Sequence, residues 1–442
     1  MLENIERNMT NTLLKGFPIK EGERTETISK RRERRYAAEK RFKILGILSI
    51  LVAISTLFLL IGNMINKGFS AFKQTYLELS ISLPENKFPN EKQISPNVIS
   101  ELNFKSFLKR ALLKKFPEIK SRRDKRLLYK LISSGATFDL QDAVFENPKL
   151  LGKTITTLAI ASDDVDQYIK GNITANNQGR ITIKQSKWID KLVDDGVINQ
   201  KFNLKFFTNG DSREPELAGI LGATIGSLLT MLVALALAFP LGVAAAIYLE
   251  EFAPKNRWTD LVEVNISNLA AVPSIVFGLL GLAVFLGFFG MHRSAPLVGG
   301  VVLALMTLPT VIIASRAALG SVPPSIREAA TGIGASPMQV VLHHVLPLAI
   351  PGILTGTIIG AARALGETAP LLMIGMVAFI VDIPQGINDS ATALPVQIFL
   401  WADSPERAFV EKTAAATLVL LTVLIIMNLG AVLLRKKFER RW

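Results

Sequence analysis

The sequence predicts an all-α polytopic membrane protein, with six transmembrane helices and an α-rich mixed soluble insert between the first and second. Three observations predict it. Several uninterrupted apolar runs reach the roughly 20 helical residues needed to cross a bilayer core of about 30 Å. Basic residues crowd the outer flanks of the first and last runs. A polar stretch over residues 66–216, long enough for a water-soluble domain, separates the first run from the others.

The basic tail, residues 1–43, carries Arg7, Lys15, Lys20, Arg24, Lys30, Arg31, Arg32, Arg34, Arg35, Lys40, Arg41 and Lys43. Arg435, Lys436, Lys437, Arg440 and Arg441 follow the last run, in the tail 435–442. A net charge of +13 raises the question of nucleic acid. Bases flanking spans are what membrane orientation requires, and no aromatic-studded basic domain accompanies them, which argues against a nucleic-acid partner. The chain has no cysteine, so disulfides, iron–sulfur clusters and thiol catalysis are excluded.

The first span, residues 44–65, is preceded by too long a polar region and is itself too long for a cleavable signal, so it is expected to stay as a helix. In the insert, Leu108, Leu112 and Phe116 stand at helical spacing, and alternation around Ile181 and Ile183 predicts a short strand. A five-helix core, residues 217–434, follows. Its spans are expected at Ala218–Leu249 (broken by Pro240), Leu269–Phe289, Leu297–Ala314, Ile350–Ile380 and Ala414–Leu434. Six spans place both termini in the cytoplasm. Lys255, Arg257, Arg316 and Arg327 then lie inside, against Arg293, Arg407 and Lys412 outside, which agrees with the positive-inside rule. The insert faces outward, because long loops cross largely regardless of charge. Gly222 with Gly226, and Gly352 with Gly356 and Gly360, have the spacing that lets membrane helices approach closely.

The connection over residues 315–347 contains two helix-start signatures. Ser325 with Glu328, after Pro323 and Pro324, forms one capping box, and Ser336-Pro337 with Gln339 forms another. Gly332 or Gly334 supplies the break between them. A preformed projection of this kind suits docking into a partner; as local folding alone it is equally a tight connection. The Gly152-Lys153-Thr154 triplet lacks the earlier glycine of a phosphate loop, that position being Asn147. The histidines, His292, His343 and His344, have no metalloenzyme spacing, so catalysis by this chain is disfavoured. In the fifth span Arg363 and Glu367 share a helix face, where charges are expensive and mark a pathway or a pair. The guanidinium is a suitable contact for an oxyanion; a purely structural ion pair is the alternative.

Glu328-Ala329-Ala330, Gly334 and Leu346-Pro347 resemble the EAA motif of binding-protein-dependent ABC importer permeases, with His344 standing where the family usually has isoleucine. Arg363 to Thr368 resembles the Arg-x-x-Gly-Glu-Thr stretch of phosphate permeases of the PstA and PstC type. Pro240 to Ala253 and Ala270 to Gly278 look like the same family, PstA more than PstC. The likeness covers residues 206–442; the insert resembles the N-terminal extension of some PstA proteins.

The resemblance implies a MetI-like six-helix permease that imports phosphate across the bacterial inner membrane by alternating access. It implies ATPase coupling through Glu328, Ala329, Ala330, Gly334, Leu346 and Pro347, and a substrate pathway at Arg363, Glu367 and Thr368. The implied partners are an ATPase subunit dimer, a second permease chain of PstC type, a periplasmic phosphate-binding protein and membrane lipid. ATP and Mg would sit on the ATPase, leaving this chain a non-catalytic subunit with no cofactor or metal of its own. The alternatives are a permease for another oxyanion or solute, or an ATP-independent channel or secondary transporter, which would need internal repeats.

Overall fold

The computed structural model describes residues 21–83, 102–175 and 180–438; Arg7, Lys15, Lys20, Arg440 and Arg441 lie outside them. The chain divides into residues 1–63 and 64–442. In the first unit the described residues form a single helix, α1, which runs Glu21–Ala71 and ends inside the second unit. It starts before the expected 44 because the charged stretch that includes Glu33, Arg34, Arg35, Ala37, Ala38, Glu39 and Lys40 is rich in strong helix formers.

The insert opens the second unit. Its elements are β1 (Lys73–Ser82), α2 (Phe104–Lys115), α3 (Arg122–Tyr129), α4 (Gly135–Glu146), β2 (Thr154–Ile160), α5 (Asp163–Ile169), α6 (Ile183–Asp194), β3 (Ile198–Phe202) and the single turn α7 (Lys205–Thr208). β1 lies between β2 and β3, antiparallel to both, with Leu79 opposite Thr157 and Leu77 opposite Ile198. Leu77, Leu79 and Ile81 point inward while Glu78, Ser80 and Ser82 point out. That period of two belongs to a sheet with one wet face. Onto the dry face α2 packs Phe104, Leu108 and Leu112, followed by Phe116, which realises the expected spacing. Gly152 falls in the turn before β2.

The expected strand around Ile181 and Ile183 is absent: Ile183 opens α6. Thr182 and Gln185 form a capping box, side chain to backbone in both directions, which starts a helix there. Ile181 is buried ahead of the cap and Ile183 is half exposed, so the apparent alternation is a cap boundary.

Among the described residues, five helices are long and apolar enough to cross a membrane, and one bent pair adds a sixth passage if counted as one span. α8 (Leu221–Ile247) continues through a wide turn, Tyr248–Phe252. Pro240 does not break it as expected; packing on the fourth span through Gly242 and Ala246 holds the helix across the missing bond. α9 (Arg257–Ala270) and α10 (Ser274–Leu280, extended by wide turns to Phe288) meet at 101°. The expected third span therefore ran two helices together: Leu269 and Ala270 belong to α9. Pro273 has no N–H for the Leu269 carbonyl, and its extended backbone begins α10. α11 (Pro296–Gly320) is the central span and packs against α8.

Beyond α11 come α12 (Pro324–Gly332), α13 (Pro337–Gln339), a wide turn (Val340–Val345) and α14 (Leu346–Gly366), so that residues 337–366 form one rod. α15 (Ala369–Met373), α16 (Leu394–Ala402) and α17 (Ala408–Phe438) complete the chain. The expected fifth span, 350–380, stops at Gly366. Pro370 can offer no N–H to the Gly366 carbonyl, so the helix breaks and restarts as α15.

The glycine spacings serve packing within the chain. Gly352, Gly356 and Gly360 face Ala318, Ala314 and Thr310 in turn, so α14 lies directly on α11. A methyl added at Gly352 would stand 2.7 Å from the Ala318 methyl, and one at Gly356 would overlap Ala314. Gly226 lies against the Thr392 carbonyl and Gly222 toward that of Asp382, bringing α8 onto the segment after α15.

Candidate functional site

Three groups of residues stand out, at one end of the bundle, at its middle and at the insert. At the first, α12 and α13 form the loop. Its first helix does not start at Ser325 as expected. Pro324, with its preset φ, takes the first helical position and Pro323 the cap, so Ser325 makes no capping bond. The second start is as expected: Ser336 Oγ accepts from Gln339 N at 3.4 Å, and Gln339 Oε1 accepts from Ser336 N at 2.9 Å. Between them Gly332 is the last helical residue and Gly334 makes the turn at φ +89°, a conformation that glycine adopts without steric cost.

The six loop residues separate into two sets. Ala330 is buried, and Leu346 packs with it in the cluster formed by Leu319, Val322, Val340 and Val345. Pro347 is half-buried at the start of α14. Glu328 and Ala329 are exposed, as is Gly334. Beside them Ile333 is 80% exposed and Met338 56% exposed, so the tip presents two apolar side chains that sequence reasoning did not single out.

The loop is braced from below by charges that sequence reasoning also missed. The wide turn ending α8 presents Glu250 and Glu251 side by side. Glu251 takes Arg327 of α12 in a fork, at 2.6 and 3.2 Å. The same guanidinium donates to the Val322 and Leu319 carbonyls at the end of α11, at 2.7 and 3.0 Å. Arg316, near the end of α11, pairs with Glu250 at 3.3 Å and with Glu263 of α9 at 2.8 Å. Glu251, first by hydrogen bonding, holds the Arg327 pKa above its ordinary value. One arginine thus caps a helix end and ties three elements together.

The second group lies near the middle of α11, the level at which Gly360 meets Thr310. One turn further along α14, Arg363 Nε stands 3.6 Å from Glu367 Oε1. The Arg363 side chain is 56% exposed, and Glu367, extended at φ −77° and ψ 122°, occupies the break with Thr368. A single long contact leaves most of the guanidinium's donors free to meet another group. A helix interrupted at mid-depth beside a charge is the arrangement in which membrane transporters place binding sites.

The third group joins the insert to the spans. Lys170, just past α5, bridges Asp166 at 2.6 Å and Glu411 of α17 at 2.7 Å, all three side chains being no more than 6% exposed. Glu411 also accepts from Ser70 of α1 at 2.6 Å, and Asp166 from the Thr75 amide of β1 at 2.9 Å. The neighbouring Lys412, 2% exposed, donates to the Ala218 carbonyl at 2.6 Å. The sequence places it in a short loop on the outer side; it instead lies within α17, buried against Ala218 and Phe206. Burial works against the Lys170 charge, yet Asp166 and Glu411 outweigh it and raise its pKa.

Close by, burial and then Glu216 push the Asp163 carboxyl from 3.8 up to about 7, and its Oδ1 has no hydrogen-bond partner among the described residues. Unfolding frees this carboxyl to ionise near 3.8. The folded state therefore holds the extra proton between about pH 4 and 7, and stability falls as pH rises through that window, by at most about 4 kcal/mol. Thermal unfolding of the full chain, followed by intrinsic tryptophan fluorescence, is expected to show that decline in the wild type and a flatter profile in Asp163→Asn. Equal slopes would refute it.

A bundle of bent and interrupted spans carrying a braced loop defines a polytopic membrane component. Residues 238–442 match the family model described as binding-protein-dependent transport system inner membrane component, and residues 29–178 match a domain of unknown function, DUF3333. The phosphate transport system permease protein PstA 1 of Mycobacterium tuberculosis (strain CDC 1551 / Oshkosh) is 32% identical over 223 residues, covering 50% of this chain and 72% of that protein. PstA of Xylella fastidiosa (strain 9a5c) is 32% identical, over 53% of this chain and 81% of its own length. A probable ABC transporter permease of Bacillus subtilis (strain 168), YqgH, is 29% identical over 58% and 82%. The chain belongs to the PstA-type permeases of the binding-protein-dependent transport family.

Proposed function

We propose that this chain is the membrane-spanning permease subunit of an ATP-driven importer of inorganic phosphate. The carrying observation is the loop. Its exposed Ile333 and Met338 offer apolar anchors to a groove, and Arg327 fixes the loop to the ends of α8 and α11. The loop lies in the cytoplasm against an ATPase dimer, and the insert faces outward from the inner membrane. A periplasmic binding protein delivers phosphate to the insert side, and a second, PstC-like permease chain completes the pathway. ATP and Mg are held by the ATPase subunits. Nucleotide-driven closure there displaces α12 and α13, and the bundle opens alternately to each side.

In this mechanism Arg363 meets the anion at mid-depth. Glu367 holds the guanidinium while the site is empty and releases it to substrate, with Thr368 as a neighbouring hydroxyl. Charge and fork geometry suit a phosphate oxyanion. In proteoliposomes with the ATPase, the partner permease and the binding protein, Arg363→Gln is expected to slow uptake of labelled phosphate by about a hundredfold, as for loss of roughly 3 kcal/mol of charge-assisted binding. Uptake at the wild-type rate would remove Arg363 from the pathway. Failure of the wild-type assembly to take up phosphate with ATP would overturn the substrate.

A further inference from the structure

Two helices of the insert turn charged faces onto one cleft. Lys105 and Lys109 sit one turn apart on α2; Arg122, Lys125 and Arg126 lie on one face of α3, with Tyr129 a turn further on. With Lys130 they line a cavity of 460 Å³, and no carboxylate lines it. Leu108, Leu112 and Leu128, on adjoining faces of the two helices, are fixed in the core, which holds the rotation of both helices.

Some lysines elsewhere in the insert have acid partners. Lys184 meets Asp124, Lys191 meets Glu118 and Lys205 meets Asp139. Asp124, on α3 itself, is thus engaged outside the cleft. Lys105, Lys109, Tyr129 and Lys130 also line the adjoining mixed-charge cavity, whose acids include Asp163, Asp164 and Glu406, so the part of the cleft away from those acids is the α3 side, at Arg122, Lys125 and Arg126. Lys105, Arg122, Lys125 and Arg126 have no acid partner among the described residues. Lys109 Nζ stands 5.0 Å from the centre of the Tyr129 ring, which holds one ammonium over the cleft. Like charges one helical turn apart repel. Placing such pairs on two adjoining helices concentrates a positive field that a bound anion relieves.

We propose that this cleft binds phosphoryl oxyanions. Two arginine forks with several lysines match a ligand rich in phosphate oxygens better than one carboxylate. The volume exceeds that of a single orthophosphate and suits a condensed phosphate or a phospholipid headgroup. The adjoining cavity extends to Arg213 and Glu406, next to α8 and α17, so soluble and lipid sources are both within reach. The cleft is separate from Arg363 and from the docking loop, so its occupancy and transport can fail independently.

The test uses the purified full chain in nanodiscs of phosphatidylcholine alone, titrated with tripolyphosphate by calorimetry. Saturable binding is expected, falling steeply with salt and weakened at least about tenfold in the Lys125→Glu/Arg126→Glu double variant. Arg126→Lys should retain most of it. Discs containing phosphatidylglycerol assign the source: suppression of tripolyphosphate binding there means that headgroups fill the cleft, and unchanged binding means a soluble ligand. Absence of saturable binding in phosphatidylcholine discs at low salt, or equal affinity in a charge-reversed variant whose unfolding midpoint matches the wild type, would overturn the proposal.

Discussion

Lys170→Met is expected to lower the unfolding midpoint of the full chain in detergent by about 3–5 °C, corresponding to roughly 3–5 kcal/mol for removing one partner of a buried ion pair. The side chain is replaced by one of similar length, so little packing volume is lost. What remains is two carboxylates, Asp166 and Glu411, each at most 6% exposed and deprived of their shared cation. Ser70 and the Thr75 amide still donate to them, but neither carries charge. Neutralising the two acids as well, in Lys170→Met/Asp166→Asn/Glu411→Gln, should recover most of the loss, because a neutral, hydrogen-bonded set escapes the desolvation penalty. A midpoint in the single variant within about 2 °C of the wild type would show that the bridge contributes little. The joint links β1, α5, the end of α1 and the start of α17, so its loss should also increase protease access to the insert.

Arg327→Met should uncouple rather than unfold. In the assembled importer, phosphate uptake is expected to fall by more than about tenfold, the effect of some 1.4 kcal/mol or more on the step that converts closure into opening. ATP hydrolysis by the assembly should change by less than about twofold, because the proposed function puts the nucleotide site on other chains. Met fills the space of the aliphatic stem but supplies none of the bonds to Glu251, Val322 and Leu319. Arg327→Lys should restore the charge without the fork and recover uptake only in part. If phosphate moved per ATP hydrolysed were unchanged in Arg327→Met, the brace would have no part in coupling.

How much of this was legible in the sequence depended on the range of the signal. Ser336 and Gln339 satisfy one another across a single turn, so the pattern and the structure coincide. Ser325 and Glu328 carry the same pattern, yet Pro324 occupies the first helical position and displaces it. Long apolar runs identified the spans but concealed their interruptions: Pro273 and Pro370 each withhold an N–H from the carbonyl four residues back, and the run stays apolar across the break. Ile181 and Ile183 form no strand because two apolar residues astride a cap mimic alternation. The Arg327–Glu251 and Lys170–Glu411 pairs join residues remote in sequence, which no local periodicity can reveal. Arg363 and Glu367 were legible because a charge in an apolar run stands out; their place beside a helix break required the fold.

The glycine contacts between α14 and α11 have a mechanical consequence. Residues 337–366 form a strut about 45 Å long at 1.5 Å per residue, and the close contacts of Gly352, Gly356 and Gly360 with α11 deny its second half room to bow. Ser336 at its foot and Arg363 near its head are therefore two stations on one stiff member, and a push at the foot arrives at the head with little slack. On the proposed function, spin labels at those stations would keep a constant separation with and without nucleotide while each changes its distance to the partner subunits.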